Sequence, residues 1–118
     1  MNMIDDTMLA LADPTRRAIL QRLSRGEARV TDVAEPFAMS LNGVSKHILM
    51  LERAGLVRRR RRGREHLLSL DVRPLDDAAA WIEEQRTAWT SRLDALDALL
   101  HQKDRVAGRQ RRRKGEKK

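Results

Sequence analysis

Apolar residues recur at helical spacing through the first quarter of the chain. Ile4, Met8 and Leu11 fall on one face of a short predicted helix. The Asp13-Pro14 pair then favours the start of a second helix, because aspartate can cap the free first-turn amides and proline suits the first helical position. This second helix contains the stretch TRRAILQRLS, and its residues predicted to face inward are Ile19, Leu20 and Leu23.

Two further helices are predicted in the middle of the chain. Residues 31–37 are expected to form a short or bent helix, because Pro36 removes one main-chain hydrogen bond. Ser40 can cap the next helix, which runs to about Ala54 and ends at Gly55. The buried stripe of this longer helix is expected at Val44, Ile48 and Leu51.

A hairpin and a long helix complete the predicted elements. The segments LVRRRRR and EHLLSLD flank a turn at Gly63, and a strand of consecutive arginines must be exposed or covered by something anionic. Pro74 opens a helix to about Gln102, in which two rows of mostly apolar residues repeat every seven positions. The rows are Leu75, Ile82, Trp89 and Leu96, and Ala79, Arg86, Leu93 and Leu100. The pattern predicts a mainly α fold with one small β-hairpin.

Length and composition exclude several classes of protein. A chain of 118 residues fits one domain, and the lack of cysteine excludes disulfides, thiol catalysis and thiolate metal sites. No apolar run approaches the roughly 20 residues that span a bilayer. Asp5, Asp6 and Asp13 interrupt any N-terminal secretion signal. We therefore expect a cytoplasmic, nucleoid-associated protein with no membrane partner.

Charge is distributed unevenly along the chain. Residues 40–66 hold eight Lys and Arg against two acids, and residues 103–118 hold nine against two. The intervening residues 67–102 hold three Arg against seven acids. Such segregation indicates a polyanionic partner for the basic segments. We predict one domain over residues 1–102 and a basic, disordered tail at residues 103–118, which have too few apolar residues to order themselves.

The order of the elements is that of a helix-turn-helix followed by a wing. A short helix, a turn and a capped amphipathic helix form the helix-turn-helix, and the arginine-rich hairpin after them is expected to be the wing. In such a motif the second helix reaches base edges in the major groove. The wing lies over the DNA backbone or in a minor groove, where arginine is favoured by the negative potential.

The sequence resembles the ArsR family of winged helix-turn-helix regulators over roughly residues 5–100. LADPTRRAILQRL resembles the second helix of the branch with a DPTR-type start, here without cysteine, and SLNGVSKHILMLERAGLVRRRRRGREHLLSL resembles the recognition helix and wing. The resemblance implies a homodimeric repressor, joined through its terminal helices, on a near-palindromic operator, and we expect it to act on its own promoter. Asn42-Gly43 stands where the family often has Pro-Ala, and Leu49 where a basic residue is common. Because Gly43 lacks a side chain, the main chain there could approach DNA closely.

The candidate DNA-binding residues lie on the recognition helix, on the wing and on the second helix. The polar residues next to the predicted buried stripe lie on or beside the exposed face of the recognition helix. An asparagine on this face can hydrogen-bond adenine, and a lysine can hydrogen-bond guanine. Ser40 is expected to be a cap first, in a position that also suits a phosphate contact. The candidates are Ser40, Asn42, Gly43, Ser45, Lys46, His47, Arg60, Arg62, Arg64, Arg16 and Arg17.

The long helix is predicted to carry a dimer interface. A lone chain of this size has little else to cover the far end of so long an amphipathic helix, and the family resemblance implies the same. Trp81 is expected in the core or the interface rather than as a platform for ligand stacking. The interface candidates are Met8, Leu75, Ile82, Trp89, Leu93, Leu96 and Leu100.

No cofactor or catalytic centre is predicted. The sequence shows no Ser/His/Asp set, no paired carboxylates with a shared site and no phosphate-binding glycine loop, so we expect no enzyme. Asp97 and His101 could offer two zinc ligands per subunit, but a single such pair is usually an exposed ion pair, and we expect no metal site. The alternative function is non-specific binding of nucleic acid by a basic protein, disfavoured by the scarcity of aromatic residues. The sequence identifies no effector.

Overall fold

The computed structural model describes residues 3–116 of the chain, with side chains up to Ala107. Its elements are α1 (Met3–Leu11), α2 (Pro14–Leu23), β1 (Ala28–Arg29), α3 (Val30–Ala34), α4 (Leu41–Arg53), β2 (Val57–Arg62), β3 (Glu65–Leu70) and α5 (Arg73–Glu116). The chain divides into two compact units, the first up to Ala80 and the second from Trp81. The prediction of a mainly α fold with a small hairpin is confirmed.

Helices α2 and α4 begin where the sequence predicts. The Asp13 carboxylate accepts a hydrogen bond from the main-chain N–H of Arg16 (3.0 Å), and Pro14 is the first residue of α2. The Ser40 hydroxyl accepts from the N–H of Gly43 (3.1 Å) at the start of α4. These side-chain oxygens satisfy amides that have no partner within the helix, and such a cap typically contributes ~1 kcal/mol.

One core joins helices α1 to α4 to the sheet in the first unit. The predicted stripe of α4 is confirmed, because Val44, Ile48 and Leu51 are all 0% exposed. The inward residues predicted for α2 are buried as well. On α1, by contrast, Thr7 and Ala10 are the buried residues, and the predicted face is only half-buried. The Thr7 hydroxyl donates to the Met3 carbonyl (3.0 Å), so its burial leaves no polar group without a partner.

The predicted hairpin forms strands β2 and β3 of a three-stranded antiparallel sheet. Gly63 at its turn has a φ of 63°, a conformation that favours glycine. The strand order is β1-β3-β2, with Val57 opposite Leu70 and Arg62 opposite Glu65. The sequence pattern does not reveal β1, because two residues are too few to show an alternation.

Helix α5 is longer than predicted. It runs to Glu116, so the expected end near Gln102 is wrong, and residues 103–116 continue the helix. No proline follows Pro74, and the arginines, lysines and glutamines of the segment are good helix formers. Lengthening an existing helix costs far less than nucleating a new one, so the segment needs no core of its own. A domain boundary after residue 102 stays a prediction, and residues 117 and 118 of the predicted tail lie outside the described residues.

Candidate nucleic-acid interface

Helix α4 presents a polar face on the side opposite its buried stripe. Asn42 and Lys46 are exposed on this face, and Ser45 is half-buried at its edge. Because the core fixes one side of the helix, these side chains must point away from it. Exposed Leu49 continues the same face one turn after Ser45. The structure thus places three of the candidate residues on one outward surface near the start of α4.

Ser40 and Gly43 belong to the cap at the start of α4. A Cβ on Gly43 would lie 3.4 Å from the Ser40 Oγ and 3.6 Å from the Met39 Sδ, which are ordinary contacts. Gly43 is also absent from the glycines with positive φ in the described chain. Neither space nor backbone conformation demands glycine here, so its role at DNA stays a prediction.

His47 lies between the outward face of α4 and the start of α2. Its side chain is 24% exposed, and its Nδ1 lies 3.3 Å from Nη1 of Arg16 and 3.8 Å from Oδ2 of Asp13. The same carboxylate caps α2, and the main-chain N–H of Arg16 is the main cause that holds the pKa of Asp13 below its ordinary value. His47 therefore has a protein partner as well as an accessible edge.

The two arginines at the start of α2 donate hydrogen bonds to the last carbonyls of α1. Arg16 donates from Nε to the carbonyl of Ala10 and from Nη2 to the carbonyl of Leu9, both at 2.8 Å. Arg17 donates to the carbonyl of Leu11, also at 2.8 Å. The last carbonyls of a helix have no intrahelical partner, so these guanidiniums act as a cap from the next helix. In the sequence, the close succession of the two predicted helices is the only indication of this capping.

The wing base consists of Arg58, Arg59 and Arg60, and each of these arginines forms an ion pair. Arg58 contacts Asp71 (3.0 Å), Arg59 contacts Glu52 (2.6 Å) and Arg60 contacts Glu27 (2.6 Å). Asp71 also contacts Arg73 (2.7 Å) at the start of α5. Hydrogen bonds from Arg60 hold the pKa of Glu27 below its ordinary value. The wing base is thereby attached to three other segments of the first unit.

The wing tip consists of Arg61, Arg62 and Arg64, and its charges lack such partners. None of the three forms an ion pair with another residue of the described chain. Arg61 donates to the carbonyl of Gly63 (3.0 Å), and Arg62 lowers the pKa of Glu27 from a greater distance. Of the wing arginines predicted to bind DNA, Arg60 therefore forms an ion pair within the protein, whereas Arg62 and Arg64 form none with the described residues.

A further ion-pair cluster attaches α3 to the sheet. Arg29 contacts Asp32 (2.9 Å) and Glu65 (3.1 Å), which raises the pKa of Arg29 and lowers that of Asp32. Since Asp32 lies on α3 and Glu65 on β3, one guanidinium holds the first helix of the helix-turn-helix beside the wing. Sequence reasoning missed this residue, because its two partners are far apart in the chain.

The predicted interface residues differ in exposure. Met8 is half-buried, and Leu75 packs partly against the core of the first unit. In the second unit the apolar side chains of α5 are exposed, with Leu93 65% and Trp89 60% accessible. The remaining exposed candidates there are Ile82, Leu96 and Leu100. Trp81, predicted to be covered, is 44% exposed in the single chain.

Asp97 and His101 form a local pair on α5. The His101 Nδ1 lies 3.4 Å from the Asp97 carboxylate and 2.8 Å from its carbonyl oxygen. Both side chains are exposed, and no third His, Asp or Glu joins them to form a metal-binding group within the described residues. No helix between residues 3 and 116 has both the length and the apolar character to cross a membrane.

Comparison with known proteins assigns the fold to a family. Residues 11–60 match the helix-turn-helix domain family. The transcriptional repressor SdpR of Bacillus subtilis (strain 168) is 33% identical over 79 residues, which cover 67% of this chain and 88% of that protein. A crystal structure of an ArsR family transcriptional regulator is 42% identical, with a TM-score of 0.72, and the match covers 75% of this chain and 98% of that chain. The chain belongs to the ArsR family of transcriptional regulators.

The ArsR assignment confirms the resemblance predicted from the sequence. A homodimeric winged helix-turn-helix DNA-binding domain from Mycobacterium bovis is 26% identical, with a TM-score of 0.56 over 77% of this chain and 82% of that chain. Helices α3 and α4 form the helix-turn-helix, and strands β2 and β3 form the wing. The relatives named above are regulators of transcription, and the one from Mycobacterium bovis is a DNA-binding domain.

Proposed function

We propose that this ArsR-family protein represses transcription by binding, as a homodimer, a near-palindromic operator in its own promoter. The main support is the neighbourhood of two surfaces, the outward face of α4 and the wing. The ion pair between Glu52 on α4 and Arg59 on β2 holds the two together. A polar helix face beside a basic ribbon suits a duplex, which offers base edges in a groove and phosphates at its rim.

The outward face of α4 supplies the base contacts. Asn42 can donate to and accept from adenine, Lys46 can donate to guanine, and the exposed apolar Leu49 suits a thymine methyl group. Ser45 lies at the edge of this face, where a hydroxyl can reach either a base or a phosphate. In this arrangement α4 enters the major groove through its first turns.

The wing tip supplies the phosphate contacts. A carboxylate partner would compete with phosphate for a guanidinium, and the tip arginines have none among the described residues. Arg62 and Arg64 are therefore assigned to the DNA backbone or to a narrow minor groove. Arg60 stays with Glu27 and contributes mainly to the position of the hairpin.

Dimerisation uses the apolar face of α5 in the second unit. Leucines and a tryptophan that repeat every seven residues are more than half exposed there, and solvent is an unfavourable neighbour for such a surface. The homologous domain from Mycobacterium bovis is homodimeric. A second copy of α5 is the partner that matches this pattern, because two helices with the same seam can pack side chains of one between those of the other.

The test is a salt titration of DNA binding by the full chain. Its probes are a fragment of its own promoter and a scrambled fragment of equal length and composition. We expect the promoter to bind at least ~1000-fold more tightly at physiological salt, and both affinities to fall as salt rises. Equal affinities at every salt concentration would instead support the alternative, non-specific binding driven by the wing and the basic segment 103–118.

Two further variants test the proposed roles of α4 in base recognition and of α5 in dimerisation. Lys46→Ala should lower the preference for the promoter, whereas the matched variant Lys103→Ala, at an exposed lysine of α5, should leave the preference unchanged. Leu93→Glu should convert the dimer into a lone chain, which sedimentation equilibrium detects. A wild-type mass equal to one chain at micromolar concentration would contradict the homodimer.

A further inference from the structure

Arg16 connects the end of α1 to the recognition helix. Two of the three guanidinium nitrogens donate to main-chain carbonyls of α1, and the third, Nη1, lies 3.3 Å from the His47 Nδ1 and 3.4 Å from the Met50 sulfur. Met50 lies one turn after His47 on α4. One guanidinium therefore holds both α1 and the middle of α4.

The chemistry of this contact fixes the histidine tautomer. A guanidinium has only N–H donors, so the Nδ1 of His47 must be the acceptor. In the neutral ring the proton is then on Nε2. Asp13 does not reverse this assignment, because its Oδ2 lies 3.8 Å from Nδ1, beyond hydrogen-bond distance, and already accepts from the N–H of Arg16.

The other ring nitrogen of His47 is available for a partner outside the protein. Nε2 has no hydrogen bond to another described residue, and no buried side-chain nitrogen of the described chain lacks a partner. Nε2 is therefore at least partly accessible to solvent, on a side chain that is 24% exposed. His47 directly follows Lys46, which lies on the outward face of α4.

We propose that Arg16 is a positioning residue for DNA recognition: it binds the Nδ1 of His47, so that His47 presents its Nε2–H as a hydrogen-bond donor to an acceptor on DNA. The acceptor is an oxygen or nitrogen of a base edge or a phosphate oxygen, since both accept from an N–H. This inference rests on the proposed DNA-binding function. It gives Arg16 an indirect role through His47, in place of a direct phosphate contact.

The first test examines the free protein. Long-range ¹H–¹⁵N spectra of the full chain distinguish the two neutral histidine tautomers by their nitrogen shifts. We expect the Nε2–H form of His47 in the wild type and a mixture of tautomers in Arg16→Lys. The matched control is Arg17→Lys, because Arg17 also binds a carbonyl of α1 at 2.8 Å but does not contact His47. An Nδ1–H tautomer in the wild type, or the same change in both variants, would overturn the proposal.

The second test is a double-mutant cycle on promoter binding. Arg16→Lys and His47→Ala should each lower the preference for the promoter over scrambled DNA by ~3- to 10-fold, the range for one hydrogen bond. Because both variants remove the same contact, the double variant should lose no more than either single one. Losses that multiply would show that Arg16 acts independently of His47 and would overturn the proposal.

A conservative variant separates positioning from folding. The amide N–H of His47→Gln can take the place of the Nε2–H without needing Arg16, so Arg16→Lys should have little effect on promoter preference in that background. If Arg16→Lys costs the same preference in the glutamine background, its effect comes from the fold and the proposal is wrong. Thermal unfolding of each variant provides the independent measure of stability.

Two scans of the promoter fragment identify the group on DNA that accepts the hydrogen bond from His47. One scan substitutes base pairs, and the other replaces phosphates with methylphosphonates. A position whose change weakens binding of the wild type but not of His47→Ala identifies the accepting base or phosphate. If no position behaves in this way, the proposed contact between His47 and DNA is wrong. If the wild type shows no preference for its promoter, the proposed function fails together with the DNA contact. The tautomer experiment still decides whether Arg16 fixes His47.

Discussion

The base and the tip of the wing contain the same side chain in different surroundings. The arginines of the wing base are paired with carboxylates from α4, from the loop before β1 and from the segment before α5. Those of the wing tip have no such pair within the described residues. The difference shows that a run of one residue type divides into an anchoring part and a part with charge left for a partner.

Replacing all three wing-tip arginines with glutamine is expected to have the largest effect on DNA binding. Each phosphate contact contributes about 0.9 to the slope of log affinity against log salt. Loss of two or three contacts should make the slope shallower by about 2 to 3 and weaken binding ~30- to 150-fold near 0.15 M salt. Filter binding over a range of salt measures both quantities. An equal loss in Arg58→Gln/Arg59→Gln would remove the distinction between base and tip.

Glu27→Gln should leave Arg60 of the wing base without a carboxylate partner, as the arginines of the wing tip are. The change releases Arg60 from its ion pair, so affinity for scrambled DNA should rise by up to ~5-fold and the salt slope should steepen by up to about 0.9. The matched control is Glu35→Gln, which removes the same charge from an exposed acid that has no ion pair in the described chain. The same gain in both variants would mean that net charge, not the release of Arg60, is responsible.

Arg59→Gln should reveal the anchoring role of the wing base through stability. The pair with Glu52 is partly shielded, with 31% and 24% of the two side chains exposed, so its loss should lower the free energy of unfolding by ~0.5 to 1 kcal/mol. Arg62→Gln should leave that free energy nearly unchanged. Urea denaturation of the two variants gives the comparison, and equal stability losses would contradict it.

The smallest expected effect is the acid dependence of the Glu27 pair. Because Arg60 lowers the pKa of Glu27 in the folded chain below its ordinary 4.5, the pair stabilises the fold above pH 4.5. That contribution is lost as the pH falls through the lowered pKa. The stability difference between wild type and Glu27→Gln should therefore shrink below pH 4.5, as measured by denaturant titration at several pH values. A difference that grows toward acid would contradict this sign.

Local pattern predicted most of the fold and little of the network around the site. Caps at Asp13 and Ser40, the stripe of α4 and the turn at Gly63 each depend on residues close in sequence, and all are confirmed. The partners of Arg16 and Arg60 are separated from them by up to 34 residues, so no local spacing reveals them. The predicted end of α5 near Gln102 is wrong. A segment with few apolar residues cannot form a core of its own, but it can still continue an existing helix.

Asp71 serves two guanidiniums at once, those of Arg58 and Arg73. Asp77 lines the same cleft, so two carboxylates face two guanidiniums at the root of the hairpin, and the unbalanced positive charge of the wing lies at its tip. Its field extends over about 8 Å at physiological ionic strength. An approaching phosphate chain is therefore drawn first toward the tip of the hairpin, which orients the collision before any hydrogen bond forms.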